Sequence, residues 1–146
     1  MSRKLIGQSM VEANLIKQEQ LDELLGLQRH NKEKMLLGRM SIDLGLVKEE
    51  EFAPFVASYF DVPYINLMEY KKVQWEALNM VPESIAEKFN VLPIEKKDNT
   101  LTIAISDPLD IATIDAIETV TKCQIKPVVS SPKHIKYAIF MFYFIL

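Results

Sequence analysis

Ile6-Gly7-Gln8-Ser9-Met10-Val11-Glu12-Ala13-Asn14-Leu15-Ile16 and Leu37-Gly38-Arg39-Met40-Ser41-Ile42-Asp43-Leu44-Gly45-Leu46-Val47 lie 31 positions apart and agree at most of their apolar positions. The agreement runs on, because Leu21, Leu25 and Gln28 align at the same offset with Phe52, Val56 and Tyr59. A fixed internal period marks a duplicated structural unit. Residues 1–62 therefore read as two copies of one unit, each a short helix, a tight corner and a second helix. Asn14 and Gly45 stand where each first helix must stop, and these residue types most readily take the left-handed conformation of a helix C-terminal cap. The second helices carry apolar residues at helical spacing, Leu21, Leu24 and Leu25 with Gln28, then Phe52, Phe55 and Val56 with Tyr59. Lys17 and Lys48 fall at the N-cap positions without a capping oxygen. Glu49, Glu50 and Glu51 then place negative charge where the helix dipole favours it.

Gly7 and Gly38 occupy equivalent places inside the first helices. A glycine there costs roughly 1 kcal/mol relative to alanine, and the cost recurs at the same point of the repeat. Something must approach the backbone closely. Close packing of helix against helix between the two units is one reading, and a ligand lying on the bare backbone is the other.

Beyond Phe60 the texture changes. Asp61-Val62-Pro63-Tyr64-Ile65-Asn66-Leu67 reads as extended chain, and residues 63–80 as a connector with one helical turn around Trp75. A helix from Glu83 to Phe89 follows Pro82. Val91–Glu95 and Leu101–Ile105 then read as a hairpin around the turn residues Lys97-Asp98-Asn99-Thr100. Leu109–Thr121 has helical periodicity, Gln124–Val129 is a third strand, and Ser131-Pro132 opens a last helix with a cap residue and an N1 proline. The fold class is α+β: a duplicated four-helix subdomain over 1–62, a connector over 63–80, and a small α-β-β-α-β-α subdomain over 81–146.

At 146 residues, the chain holds one ordinary domain or two small ones and excludes a large enzyme. Its 17 Lys and Arg against 20 Asp and Glu alternate in sign along the chain, which gives electrostatic nucleic-acid binding no support. The lone Cys123 cannot form an intramolecular disulfide and reads as a small core filler in a reducing, cytoplasmic setting. Met1 to Gln8 has neither the apolar core nor the small-residue cleavage site of a secretory signal, so the mature chain is expected to start there. The longest apolar run, from Ala138 to Leu146, falls well short of the roughly 20 residues needed to cross a bilayer. It reads as the last turns of a helix docked on its own domain, the alternatives being a partner-binding or membrane-surface tail or a chain cut at a linker.

Catalytic chemistry has little to draw on. No glycine-rich phosphate loop ending in Gly-Lys-Ser or Gly-Lys-Thr is present, and the sequence has only four glycines in all. His30 and His134 lack spaced Cys, His or carboxylate companions and read as surface residues. Asp107, Asp110 and Asp115 would have to converge on one cleft for acid-base or magnesium chemistry, and Asp107 before Pro108 reads more simply as a turn and helix-start residue. No Ser, Thr or Cys is accompanied by an obvious base.

The doubled Leu-Gly start, the Gly-Leu-Ile/Val corner and the Leu-x-x-x-Leu-x-x-Gln helix are followed by Pro82-Glu83 to Phe89-Asn90-Val91-Leu92-Pro93. Leu101-Thr102-Ile103-Ala104-Ile105-Ser106-Asp107-Pro108-Leu109-Asp110 comes next. In this order the motifs resemble the N-terminal domain of type II secretion and type IV pilus assembly ATPases, from about Leu5 to Tyr143. The resemblance implies a non-catalytic domain, cytoplasmic and peripheral to the inner membrane. It implies two partners: the cytoplasmic domain of an inner-membrane platform protein, and a hexameric ATPase motor in cis or in trans. It implies no nucleic acid, no transmembrane segment and no metal. In a pilus branch the doubled unit binds cyclic di-GMP. The matching positions here are Ile6, Gly7, Leu21, Leu25 and Gln28 in the first unit and Leu37, Gly38, Phe52, Val56 and Tyr59 in the second. The binding version opens each unit with an arginine where this chain has Leu5 and Leu36, and Lys4 and Arg39 offer charge from other helix faces. Two missing charge-assisted contacts, each worth roughly 1.5–3 kcal/mol, lead us to expect no resident cofactor and only weak binding of that dianion. A docking surface, by contrast, is expected on the outer faces of the helical unit or on the C-terminal apolar helix.

Overall fold

The computed structural model describes residues 5–28, 35–69 and 72–145. Lys4, His30 and Leu146 lie outside them. Four helices make the first half: α1 (Ile6–Glu12), α2 (Gln18–Leu27), α3 (Leu36–Asp43) and α4 (Glu49–Tyr59). The two corners are built alike. After α1, Asn14 takes φ 62°, and the N–H groups of Asn14 and Leu15 donate to the carbonyls of Val11 and Met10 at 3.0 Å each. After α3, Gly45 takes φ 76°, and the N–H groups of Gly45 and Leu46 donate to Ile42 and Ser41 at 3.0 and 2.8 Å. Both are Schellman caps, which return the last helical carbonyls to hydrogen bonding. Lys17 and Lys48 are the N-cap residues of α2 and α4. At the first, the Gln20 side chain reaches back and accepts from the Lys17 backbone N–H at 2.8 Å, the N3 half of a capping box.

Packing of α1 on α2 and α4, and of α2 on α3, encloses a core around Met10, Leu24, Phe52 and Val56. Met10 is wholly buried, and burial of such a side chain is worth about 1.5–3 kcal/mol. Pro54 sits inside α4 on its exposed side.

The second half runs α5 (Trp75–Met80), α6 (Glu83–Phe89), β1 (Leu92–Lys97), β2 (Thr100–Ile105), α7 (Ile111–Thr121), β3 (Gln124–Val129) and α8 (Pro132–Phe140). The expected hairpin forms, with β1 antiparallel to β2 and a bulge between Pro93 and Glu95. β3 joins β2 in parallel, pairing Thr100 with Gln124 through to Ile105 with Val129, so β2 is the middle strand. β1 starts one residue later than the sequence suggests and continues to Lys97, because the turn tightens onto Asp98 with φ 55°. α7 starts at Ile111 because Asp110 is its cap, its carboxylate accepting from Thr113 N–H at 3.1 Å and Thr113 Oγ1 at 2.7 Å. Ser131 caps α8 as its sequence indicates, with Pro132 at N1.

Cys123 is buried in the core of this half with Ile103, Ile117 and Ile135. The residues read as a connector take part in it. Ala77 and Leu78 of α5 are buried there, and α5 packs on β1. The chain does not end as one regular helix: α8 passes at Met141 into a π-helical turn, Met141–Ile145. Within that turn Phe142 and Tyr143 pack against the core, while Phe144 and Ile145 stay exposed.

The two halves are joined through β3. Val129 N–H donates to Pro63 O at 2.8 Å and Ile65 N–H donates to Val129 O at 2.9 Å, so Tyr64 adds a parallel bridge beyond the sheet. The Val129 side chain belongs to the core of the helical half. Across the same junction the Glu49 carboxylate accepts from Lys133 N–H at 3.3 Å and pairs with its ammonium at 3.8 Å.

Candidate functional site

Gly7 and Gly38 show what their missing side chains make room for. A Cβ on Gly7 would stand 2.6 Å from Leu21 Cδ1 and 3.0 Å from Leu37 Cδ1, and a Cβ on Gly38 would overlap the ring of Phe52. The close approach therefore comes mainly from the second helix of the same unit, with Leu37 alone reaching across from the other. The expectation of packing between units is corrected in that respect. Each bare backbone is covered by this chain's own side chains.

The remaining residues of the doubled motif divide by depth. Ile6, Leu21, Leu37, Phe52 and Val56 are buried, Gln28 and Tyr59 are half-buried, and Leu25 is exposed. Gln28 Oε1 is buried with no hydrogen-bond partner among the described residues. Leu5, which stands where the related motif has its first arginine, is 82% exposed, and Leu36 is half-buried. Neither offers charge to anything. Ser41, a polar residue where the first unit has Met10, is fully buried and donates its hydroxyl to Leu37 O at 2.7 Å, so its polarity is satisfied inside α3.

A cleft of about 610 Å³ opens where the two halves meet. Its helical wall is Met35 and Arg39 of the α3 segment with Glu49, Phe52 and Val56 of α4. Its other wall is Ser106 and Asp107 after β2 and Ser130 after β3, the carboxyl ends of the two parallel strands. Ligands of α/β sheets commonly bind at that edge. Of the ten motif residues, only Phe52 and Val56 line it. Sequence reading misses this cleft because its walls come from segments far apart in the chain, and only the turn residues Ser106-Asp107-Pro108 hint at it.

The carboxylates in the cleft are committed to structure. Asp107 accepts from Leu109 N–H at 2.9 Å, Asp110 caps α7, and Glu49 holds Lys133. Asp107 and Asp110 thus act as the turn and helix-start residues their sequence context suggests, and Asp115 is exposed on α7, away from the cleft. Ser130 is fully buried, and its hydroxyl has no hydrogen-bond partner among the described residues. His134 lies half-buried at the start of α8. Among the described residues no three His, Cys, Asp or Glu side chains gather as a metal site, and no helix is long and apolar enough to cross a membrane.

Comparison with known proteins identifies the family and the fold. The family model of the MshEN domain matches residues 60–143. The type IV pilus assembly ATPase PilB of Myxococcus xanthus is 30% identical over 138 residues, taking in 94% of this chain and 24% of the relative. PilB of Thermus thermophilus is 22% identical over 138 residues, with 93% and 15% covered. The chain thus spans a quarter or less of the length of these curated relatives. A solved structure of MshE with cdg superposes with a TM-score of 0.79 at 27% identity, covering 97% of this chain and all of that one. The N-terminal domain of XpsE superposes at 0.69 over 95% of this chain and 96% of the other, and at 23% identity it speaks for the shared α+β fold.

Proposed function

Because the chain belongs to the MshEN domain family, we propose that it is the non-catalytic N-terminal domain of a type IV pilus or type II secretion assembly ATPase. In this reading it docks the motor onto the cytoplasmic domain of an inner-membrane platform protein. The observation that carries the proposal is the 30% identity to a pilus assembly ATPase across 94% of this chain, with every carboxylate of the cleft engaged in structure rather than chemistry. The test is a titration of this chain with the isolated cytoplasmic domain of the cognate platform protein, followed by calorimetry and co-sedimentation. Saturable one-to-one binding supports docking. No heat and no co-sedimentation at protein concentrations near about 100 μM, weaker than most transient protein complexes require, would overturn it.

One observation favours a second reading, ligand sensing. The MshE structure holds cdg, which we take as cyclic di-GMP, on the same fold, and a cleft of about 610 Å³ is within the size range of a nucleotide pocket. The residues of this chain fit that ligand poorly. Leu5 and Leu36 supply no cation, and Leu21 and Phe52 fill the spaces over Gly7 and Gly38. Among the described residues that line the cleft, Arg39 is the one cation. Docking is therefore the primary reading. A ligand-induced rise in melting temperature without platform binding would reverse the order.

A further inference from the structure

α8 and the π-helical turn present a face that their own domain leaves uncovered. Ile135, Ala138 and Ile139 turn into the core and are buried, whereas Tyr137, Phe140 and Phe144 are 48%, 53% and 56% exposed. These three follow one another at three- and four-residue spacing, and the last two rings lie 5.9 Å apart. Three neighbouring aromatics on one solvent-facing stripe form a patch rather than scattered surface residues.

Tyr137 and Phe140 also line a groove of about 710 Å³ between α6 and α8, and the walls of that groove carry opposite charge. On α8 stand Lys133 and Lys136. On α6 stands Glu87, with Glu83 one turn before it on the same face. Lys133 is partly engaged with Glu49. Lys136 and Glu87 make no ion pair with any described residue. The neighbouring Glu87 carboxyl pushes the Glu83 carboxyl above its ordinary range. One wall of the groove thus carries the acid Glu87, and the other carries Lys136, which has no ion-pair partner among the described residues.

We propose that this face is a homodimer interface, in which α8 of a second copy of the chain lies over α6 of the first, and the reverse, about a twofold axis running along the groove. An isologous contact demands a self-complementary patch. Rotation about an axis along the groove sets each basic wall over the partner's acidic wall, so Lys136 faces Glu87 of the partner subunit twice. The aromatic stripe forms the seam between them. Three half-exposed aromatics, at about 150–250 Å² each when fully buried, contribute roughly 300 Å² of apolar surface per copy. That places the contact at the small, transient end of specific interfaces, and its charge pairs make it weaken with salt. The contact stands independently of platform docking.

Sedimentation velocity on the whole 146-residue chain tests it. Between about 1 μM and about 1 mM the mass is expected to rise from one chain to two and to stop there. Lys136→Glu and Glu87→Lys are each expected to hold the chain monomeric across that range, because like charges then face each other twice. An equimolar mixture of the two variants is expected to dimerise again, since both cross pairs become acid to base. Phe140→Ser is expected to abolish association in every combination. All the substituted residues are exposed, and unchanged circular dichroism melting confirms that the variants fold. A wild-type mass of one chain throughout, assembly beyond two, a dimer that survives either reversal, or a mixture that stays monomeric each overturns the proposal.

Discussion

The Phe52 ring of α4 lies against the backbone of Gly38 in α3, so near that a Cβ at position 38 would stand inside the ring's own space. Gly38→Ala is therefore expected to destabilise the fold by about 1–3 kcal/mol through overpacking. The gain in helix propensity, about 1 kcal/mol, offsets only part of this. Thermal unfolding followed by circular dichroism checks the sign. A double-mutant cycle checks the cause: in a Phe52→Ala background, alanine at 38 should cost nothing or stabilise. Equal costs in both backgrounds would show that the ring is not the obstacle.

Gly26 and Gly45 both face open space where a side chain would stand, but their backbones differ. Gly26 lies within α2, whereas Gly45 holds φ 76° at the corner after α3. Gly26→Ala is expected to stabilise by about 0.4–1 kcal/mol, and Gly45→Ala to destabilise by about 1–2 kcal/mol. Urea unfolding of the two variants should shift in opposite directions. A shift of the same sign would contradict the conformational account.

Cyclic di-GMP is expected to bind more weakly than about 1 μM, equivalent to about -8.2 kcal/mol. Restoring arginine at both positions, Leu5→Arg with Leu36→Arg, should tighten binding at least tenfold if charge is what the site lacks, since each charge-assisted contact is worth about 1.5–3 kcal/mol. Calorimetric titration of both proteins decides it. A sub-micromolar constant for the unaltered chain refutes the first statement, and identical constants refute the second.

Tyr143 fastens the π-helical turn to α5, its hydroxyl donating to Val81 O at 2.9 Å and reaching Leu78 O at 3.4 Å. Burial, reinforced by the nearby Glu83 carboxylate, pushes this phenol well above its ordinary range. The folded chain thus favours the neutral form. The stability this confers is complete below the unfolded value of about 10 and is lost as pH climbs from there toward the folded value. Tyr143→Phe removes one buried hydrogen bond, for an expected loss of about 0.5–1.5 kcal/mol at neutral pH. The variant should also lose less melting temperature than the parent between neutral pH and pH values above about 10. Parallel alkaline slopes for the two proteins would exclude Tyr143 as the titrating group.

The helical half is the more legible part of the sequence because its information is local. Asn14 and Gly45 announce the corners through backbone conformation alone, and the 31-residue offset exposes the duplication without any structure. The hairpin is legible for the same reason, since turn chemistry sits between two β-rich runs. What escapes is non-local. Nothing around Gly38 says that Phe52, fourteen positions on, would be its tenant rather than a ligand. Nothing around Pro63-Tyr64-Ile65 says that it would pair with Val129. The cleft needs Arg39, Asp107 and Ser130 at once, and only tertiary packing assembles them. The π-helical turn also escapes, because its run of large apolar residues fits a regular helix equally well.

Val129 exchanges backbone hydrogen bonds with Pro63 and Ile65 while its side chain sits among the helices of the first half. In mechanical terms, tension drawn along β3 meets hydrogen bonds that must slide past one another rather than open one at a time. Ser130 and Val129 thus connect α8 directly to the core that contains α4, and the Glu49–Lys133 pair spans the same junction beside them. Parting the two halves therefore means breaking backbone hydrogen bonds, apolar packing and an ion pair together rather than one after another.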